Sequence, residues 1–384
     1  MTAPRPTESA HSESAPSESI PSEQIRSESI RLRAALEALP AYVAGKSAAG
    51  GTGPRFKISS NESPFPPPAP VREAVITAMD SANRYPDMGS VALREVLGAL
   101  HGVDPTQIAV STGSVAVSGD LVRAVVDPGD EVVFAWRSFE AYPILVGSHG
   151  GVSVPIPLTA TFEHDLEAMA AAITDRTRLV LLCTPNNPTG PSLSTEQIRH
   201  FLACVPEHVV VALDEAYREF HEPDTVADTA AIFRDHPNVV LLRTFSKMQG
   251  LAGLRIGYAV AHPRLARALG QVTVPFGAGS LAQAAALASC EPAVVEELER
   301  RAAWIRGERA RVAAALREQG WELPDSQGNF LYFPMAERSA EFAAFAEQRG
   351  LVLRGYGADG VRATIAEPEA NDLLIEICQA WRER

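Results

Sequence analysis

Short apolar runs alternate with helical patterns through the middle of the chain. Five of these runs are apolar at consecutive positions, as expected of strands buried on both faces: 107–112, 131–136, 178–184, 208–214 and 238–245. The stretches between them repeat apolar residues at helical spacing, for example 114–126, 165–173 and 195–205. Because such strands need cover on both sides, the pattern predicts an α/β fold with a mainly parallel sheet between helices.

This alternation stops near residue 280. A long helical pattern from Leu281 to Arg317 is followed by an apolar strand in NFLYFP, a helix near 338–349, a short strand in GVRATIA and a final helix in PEANDLLIEICQAW. This order of elements is typical of a smaller α+β domain. We therefore predict three ordered parts: an N-terminal segment that packs with the small domain (27–69), a large domain (70–278) and a small C-terminal domain (279–384).

The N-terminus has a different composition. Residues 12–31 repeat a five-residue unit of Ser and Glu with Pro or Arg, as SESAP, SESIP, SEQIR and SESIR. Its hydrophobicity is too low to offset the entropy lost on ordering, so residues 1–26 are predicted to be a disordered tail. A phosphorylated or partner-binding tail is the alternative. Order is expected to begin with a short helix in IRLRAALEAL, capped by Ser27 or Ser29.

Composition excludes several classes of function. The 384 residues are 46% hydrophobic and carry 34 basic against 47 acidic side chains, a net charge of −13, which disfavours binding to nucleic acid or anionic lipid. No stretch approaches the roughly 20 apolar residues that span a membrane, and the N-terminus lacks a secretory signal. Four scattered cysteines form no metal-binding spacing, so we expect no metal and reduced thiols in a cytoplasmic protein: Cys183, Cys204, Cys290 and Cys378.

The fragment RTFSKMQGLAGLRIGY (243–258) carries the strongest chemical signal, directly after an apolar strand. Lys247 lies between hydroxyl residues and could form an imine with a cofactor carbonyl once its surroundings make it neutral. Thr244 and Ser246 can donate to phosphate oxygens, and Arg255 can bind them through its guanidinium fork. By itself, the fragment fits a surface lysine in a loop equally well.

Two more fragments follow predicted strands. In VVVALDEAYREF (209–220), Asp214 ends a strand and could keep a pyridine nitrogen protonated, while Tyr217 could reach a phenolic oxygen. In CTPNNPTGPSLS (183–194), Asn187 lies in a rigid turn at the carboxyl edge of the sheet, where ligands of open α/β sheets bind. A helix-capping Asp with a core Tyr, and a plain turn, are the structural alternatives.

The remaining candidates are weaker individually. Ser114 and Val115 open a helix after a strand, where backbone N–H groups favour a phosphate, although a capped helix explains them as well. Arg362, in GVRATI, lies within a strand and needs an anionic partner, either a substrate carboxylate or an internal salt bridge. Arg354, in VLRGYG, is interpreted as structural.

The order of these motifs resembles the class I/II pyridoxal-phosphate-dependent aminotransferases of fold type I, over about residues 28–384. The shared features are NNPTG, the DEAY segment, the SK motif with an Arg eight residues on, and an Arg near the C-terminus. YVAGK, SSNESPFPPP and NRYPD resemble the histidinol-phosphate aminotransferase branch. More narrowly, TGSVAV, FAWRSFEAYPI and VPFGAGSLAQAAA resemble aromatic amino acid aminotransferases.

The resemblance implies a role for each matching residue. Lys247 is the Schiff-base lysine and proton shuttle, Asp214 binds the ring nitrogen, and Tyr217 and Asn187 bind the phenolic oxygen. It further implies that Phe139 stacks on the ring and that a homodimer shares its active sites, with Tyr85 reaching the partner's phosphate. The implied phosphate ligands are Ser114, Val115, Thr244, Ser246 and Arg255, and the implied substrate residues are Tyr42, Asn61 and Arg362.

We therefore expect transamination of an aromatic L-amino acid with a keto acid, 2-oxoglutarate, in a ping-pong reaction. The pocket is expected to have apolar and aromatic walls from Tyr42, Phe139, Tyr142 and the partner's Tyr85. Histidinol phosphate is the alternative donor, since one Arg can hold a carboxylate or a phosphate. A different reaction on the same cofactor, or a non-catalytic protein that senses pyridoxal phosphate, remain as further alternatives.

Overall fold

The computed structural model describes residues 31–37, 39 and 55–384. Its helices are α1 (Ala34–Glu37), α2 (Ala69–Met79), α3 (Val91–His101), α4 (Ser114–Val125), α5 (Ala141–Ser148), α6 (Leu166–Ala171), α7 (Thr195–Leu202), α8 (Thr229–Asp235), α9 (Pro263–Val272), α10 (Ser280–Ser289), α11 (Pro292–Glu318), α12 (Ser339–Gln348) and α13 (Pro368–Arg382). Its strands are β1 (Phe56–Lys57), β2 (Ile108–Ser111), β3 (Glu131–Trp136), β4 (Val152–Pro157), β5 (Thr177–Cys183), β6 (Val210–Asp214), β7 (Val239–Thr244), β8 (Gly257–Val260), β9 (Phe330–Phe333), β10 (Leu351–Val352), β11 (Arg354–Gly355) and β12 (Val361–Thr364). The predicted tail, residues 1–26, lies outside the described residues, as does Tyr42.

A seven-stranded sheet forms the centre of the large domain. Its strand order is β2-β8-β7-β6-β5-β3-β4, and β8 alone runs antiparallel to its neighbours β2 and β7. The register aligns Cys183 with Asp214 and Asp214 with Leu242, so β5, β6 and β7 end at one edge. This arrangement confirms the predicted α/β fold with a mainly parallel sheet.

Both faces of this sheet are buried, which explains the continuous apolar runs. On β3, Val132 and Phe134 point into a cluster with side chains of α4, α5 and α9. Val133, between them, points into a cluster on the other face with side chains of α2, α3, α7, α8 and α10. Each of these three residues is at most 1% exposed. The positions from Val132 to Ala135 therefore all face a core and are apolar.

Several elements differ from the sequence-based expectation. Strands β4 and β8 were not predicted, because β4 contains Pro155 and Pro157 at the sheet edge and β8 has only four residues. The single helix expected from Leu281 to Arg317 is wrong: α10 ends at Ser289 and α11 starts at Pro292. Proline has no N–H to continue the preceding helix, so it begins a new one instead.

The small domain has its own core. Strands β11, β12 and β9 form an antiparallel sheet, which packs with α11, α12 and α13 around side chains such as Phe330 and Phe342. Strand β1 pairs in parallel with β10, which attaches residues 56–57 to this domain. The buried side chains of α10, and those of α11 up to Leu298, belong to the hydrophobic core of the large domain. The buried side chains of α11 from Ala302 onward belong to the core of the small domain. The two cores therefore divide within α11, between Leu298 and Ala302.

Two classes of feature are not found within the described part of the chain. None of its helices is long and apolar enough to cross a membrane. Its His, Cys, Asp and Glu side chains form no group of three or more that could hold a metal ion.

Candidate active site

A cavity opens at the carboxyl edge of the large sheet, next to the small domain. Segments that follow β2, β3, β5, β6 and β7 meet there with β11 and β12. Eleven of the predicted site residues line it: Ser114, Val115, Phe139, Asn187, Asp214, Tyr217, Thr244, Ser246, Lys247, Arg255 and Arg362. Residues that are far apart in the sequence thus line the same cavity.

Lys247 lies three residues beyond the end of β7, inside this cavity. Its Nζ donates to the backbone oxygens of Ser60 at 3.3 Å and Asn61 at 3.2 Å. Burial lowers its pKa to about 7, and the nearby charges of Arg362 and Arg255 lower it as well. A substantial fraction of the amine is therefore neutral near pH 7, as a nucleophilic lysine requires.

Asp214 ends β6 at the floor of the cavity and is only 4% exposed. Tyr142 donates its hydroxyl to Oδ2 at 2.7 Å, and the backbone N–H of Ala216 donates to Oδ1 at 3.3 Å. Burial raises the pKa of this carboxyl, and the hydrogen bond from Tyr142 opposes the rise. Tyr142 itself is fully buried, so it holds Asp214 rather than forming the wall of the substrate pocket that the sequence predicts.

Tyr217 and Asn187 are positioned by polar partners from other segments. Asn61 donates its side-chain N–H to the Tyr217 hydroxyl at 3.0 Å. Asn187 accepts a hydrogen bond from Arg362 through its Oδ1. Burial raises the pKa of Tyr217 well above its ordinary value, so its hydroxyl keeps its proton and can donate it in a hydrogen bond.

The start of α4 and Arg255 form a cradle for an anion. Ser114 and Val115 lie in the first turn of α4, whose N–H groups have no intrahelical partner, and no side chain caps the helix. The Arg255 guanidinium lies 3.5 Å from the Ser246 hydroxyl. A Cβ on Gly113 would lie 2.5 Å from Arg255 Nη2, so only glycine leaves this approach open.

Arg362 lies on β12 of the small domain and is 5% exposed. Its Nη2 donates to the backbone oxygen of Ser59 at 2.7 Å, and its Nη1 donates to Asn187. Its Nε is buried and has no hydrogen-bond partner among the described residues. Its described partners are neutral oxygens, so the guanidinium charge is available to a bound carboxylate.

Not every predicted site residue reaches the cavity. Tyr85 is 83% exposed and lies away from it, with its ring 4.7 Å from that of Phe276. Asn61 does not line the cavity but contacts it through Tyr217 and Lys247.

Sequence reasoning missed other residues that line the cavity: Ser59, Ser60, Glu140, Cys183, Ala216, Ala252 and Arg354. Among these, Arg354 lies directly opposite Arg362 in the β11–β12 pair. The turn signal GYGADG between these two arginines favours a hairpin and could have revealed that they share a face.

Comparison with known proteins agrees with this geometry. The sequence profile of the aminotransferase class I and II family matches residues 55–375. A protein named aromatic amino acid aminotransferase from Streptomyces avermitilis is 49% identical over 92% of this chain and 98% of its own length. One of the same name from Rhodococcus opacus is 49% identical over 92% of this chain and 96% of its own.

Solved structures show the same fold. Histidinol-phosphate aminotransferase from Sinorhizobium meliloti, in complex with pyridoxal-5'-phosphate, has a TM-score of 0.83 and 28% identity, covering 92% of this chain and 98% of that chain. An aspartate aminotransferase mutant from Thermus thermophilus has a TM-score of 0.77 at 22% identity, covering 92% of this chain and 99% of that chain. The chain belongs to the class I and II aminotransferase family.

Proposed function

We propose that the protein transfers the amino group of an aromatic L-amino acid to 2-oxoglutarate, with pyridoxal phosphate as cofactor. The observation that carries this proposal is that Lys247 and Asp214 of the large domain and Arg362 of the small domain line one cavity. The two relatives named aromatic amino acid aminotransferases, each at 49% identity, support the choice of donor.

The residues around the cavity fit this cofactor. Among the described residues, the side chain of Asp214 accepts hydrogen bonds from neutral donors only, which leaves a buried carboxylate suited to a protonated ring nitrogen. The opening beside Gly113 suits a phosphate held by Arg255 and the N–H groups of α4. Tyr217 and Asn187 would bind the phenolic oxygen. When bound, pyridoxal phosphate supplies a carbonyl for the amine and a ring that accepts electrons from the Cα–H bond.

The protein's own groups position the substrate and move its protons. Arg362 binds the substrate carboxylate, and the Phe139 ring covers one side of the cavity. Lys247 Nζ, whose pKa is about 7, would take the proton from the substrate Cα and then deliver it to the cofactor carbon that receives the amino group. Asp214, oriented by Tyr142, holds a proton on the ring nitrogen throughout.

A homodimer with shared active sites is part of the proposal. Several large apolar side chains around Tyr85 are exposed, among them Met88, Val274 and Phe276. A second, open cavity is lined by Ala82, Arg84 and Pro86 on one side and by Arg255 on the other. Because Arg255 borders both cavities, a partner subunit docked on this face would approach the phosphate site.

Histidinol phosphate is the second candidate donor. The structural similarity to a histidinol-phosphate aminotransferase favours it, and so does the presence of two arginines, Arg354 and Arg362, in the cavity.

A donor panel distinguishes these candidates. The holoenzyme is assayed with 2-oxoglutarate and with phenylalanine, tyrosine, tryptophan or histidinol phosphate as donor. We expect a higher kcat/KM for the aromatic amino acids, because burial of an aryl group contributes roughly 25 cal/mol per Å² of apolar area. A tenfold preference for histidinol phosphate would reverse the assignment.

A further inference from the structure

The aromatic ring of Tyr356 lies close to three guanidinium groups. Tyr356 follows β11, is 5% exposed and is not among the residues that line the cavity. The Cζ atoms of Arg137, Arg354 and Arg362 lie 5.8, 5.6 and 5.7 Å from the centroid of its ring. An aromatic ring attracts a guanidinium group within about 6 Å, because the face of the ring carries partial negative charge. One buried ring thus contacts three cations.

The three arginines differ in their other partners. Arg137 and Arg354 each form an ion pair, with the carboxylates of Asp359 and Glu140. The hydrogen bonds of Arg362 go to neutral oxygens, and it forms no ion pair with a described carboxylate. A buried charge without an ionic partner is costly, and the like charges beside Arg362 add to that cost. Arg362 therefore needs another source of stabilisation when no substrate is bound.

Two aromatic rings supply part of this stabilisation. The Cζ atom of Arg362 lies 5.5 Å from the ring centroid of Phe330, in addition to its contact with Tyr356. Both rings attract the guanidinium group without carrying a formal negative charge. A carboxylate in their place would form an ion pair with Arg362 and compete with the carboxylate of a substrate. The rings thus stabilise the cation and leave the substrate carboxylate as its ionic partner.

We propose that Tyr356 is a positioning residue that holds the Arg362 guanidinium group ready for the substrate carboxylate. An arginine side chain has many rotamers, so fixing it beforehand reduces the entropy lost when the substrate binds. The amino acid donor and the keto acid acceptor both carry a carboxylate next to the reacting carbon. The contact therefore favours the binding of both substrates alike. This inference rests on the proposed function, in which Arg362 binds that carboxylate.

Tyr356→Leu tests the inference, because it keeps an apolar side chain and removes the ring. Calorimetry of the holoenzyme compares 3-phenylpropionate, an aromatic monocarboxylate, with 3-phenylpropionamide, its neutral analogue. We expect the Kd ratio of the carboxylate to the amide to rise about tenfold, since a cation–π contact with a desolvated cation contributes on that order. Tyr356→Met also removes the ring, and it should give the same rise if Tyr356→Leu does not fold.

Two control variants separate the ring from other properties of this residue. Tyr356→Phe keeps the ring and removes the hydroxyl, so the Kd ratio should stay unchanged. Tyr332→Leu removes a neighbouring buried ring, whose centroid lies 6.5 Å from that of Tyr356. Among the described residues, Tyr332 makes no cation–π contact, so this variant should also leave the ratio unchanged. In steady-state assays, Tyr356→Leu should lower kcat/KM for phenylalanine and for 2-oxoglutarate together, because both substrates carry the carboxylate.

The outcomes separate this inference from the proposed function. An unchanged Kd ratio in the variants that lack the Tyr356 ring, or an equal shift in Tyr356→Phe, would overturn the inference. An equal shift in Tyr332→Leu would attribute the effect to lost packing and would overturn it as well. Arg362→Ala should abolish the preference for the carboxylate over the amide. If that preference persists, Arg362 does not bind the carboxylate and this part of the proposed function fails. If the wild type does not transaminate phenylalanine, the proposed donor is wrong, while the Kd ratios still test Tyr356.

Discussion

Burial and side chains from distant segments shift the pKa values of individual groups in the cavity. Burial lowers the pKa of Lys247 to about 7, whereas burial raises the pKa of Asp214. The first shift favours a neutral amine, and the second is opposed by the hydroxyl of Tyr142. The neutral amine can react with a carbonyl, and the hydrogen bond from Tyr142 favours the carboxylate form of Asp214, which would pair with a protonated ring.

The lowered pKa of Lys247 predicts a specific pH profile. In the apoenzyme the amine is protonated below pH ~7 and neutral above it, so the rate of cofactor capture should rise with pH up to about 7 and then level off. Stopped-flow absorbance after mixing apoenzyme with pyridoxal phosphate measures that rate. A rate that keeps rising toward the ordinary lysine pKa of ~10.4 would contradict the profile.

A second experiment identifies the lysine that binds the cofactor. Borohydride reduction of the holoenzyme should leave the cofactor on the peptide that contains Lys247, and Lys247→Ala should abolish both the label and nearly all turnover. Lys57→Ala is the control, because Lys57 pairs with Glu62 outside the cavity and should retain the label. Labelling of another lysine would overturn the assignment.

At the scale of elements, the site is assembled from the ends of strands. Asp214 is the last residue of β6, and Lys247 lies three residues past β7. Ser114 lies three residues past β2 and begins α4, so a helix N-terminus meets the same edge of the sheet. The junction between β2 and α4 depends on Gly113, whose φ is +96°.

Gly113→Ala should weaken cofactor binding. The new Cβ would lie 2.5 Å from Arg255 Nη2 and displace the guanidinium from the phosphate site. Loss of a hydrogen bond to a charged group costs about 1.5–3 kcal/mol, so the Kd for pyridoxal phosphate should rise about tenfold or more. Equilibrium dialysis against the cofactor measures it.

Gly129→Ala is the matched control for that substitution. Gly129 has a similar φ of +93°, but nothing lies within 4 Å of the added Cβ. Both variants should lose some thermal stability from the positive φ, whereas only Gly113→Ala should lose affinity for the cofactor. Equal affinity in the two variants would show that Arg255 accommodates the methyl group.

At the scale of the whole molecule, two cores share one long helix. Side chains of α11 belong first to the core of the large sheet and then to that of the small domain. The cavity lies between these domains, so their relative position sets the distance between Lys247 and Arg362. The exposed apolar side chains around Tyr85 lie on the large domain and suit a second copy of the chain.

Phe276→Asp should disrupt the proposed homodimer. Phe276 is 42% exposed and packs on Tyr85, so a carboxylate there would be buried without a partner in a dimer interface. Sedimentation should show a dimer for the wild type and a monomer with lower activity for the variant. Val152→Asp is the control. Val152 is 46% exposed and lies on β4, which is the edge strand at the other end of the large sheet from β2. A wild type that sediments as a monomer would refute the dimer.

The amino-acid sequence by itself determined the fold class, the family and most of the residues in the cavity. Consecutive apolar positions specify strands buried on both faces, and motifs immediately after those strands must lie at the carboxyl edge of a parallel sheet. Asp214, Asn187 and Lys247 are therefore brought together by local features that a sequence displays. The family profile confirms the resemblance that these motifs indicate.

Only the tertiary structure decided which distant side chains meet. Glu140 and Arg354 are 214 residues apart, and the partners Tyr142 and Asp214 are 72 apart. Their contacts follow from strand order, register and the position of the small domain, none of which a local pattern encodes. Tyr142, expected in the pocket wall, instead supports Asp214, and Arg354, expected to be structural, lines the cavity, because long-range packing determines where each side chain points.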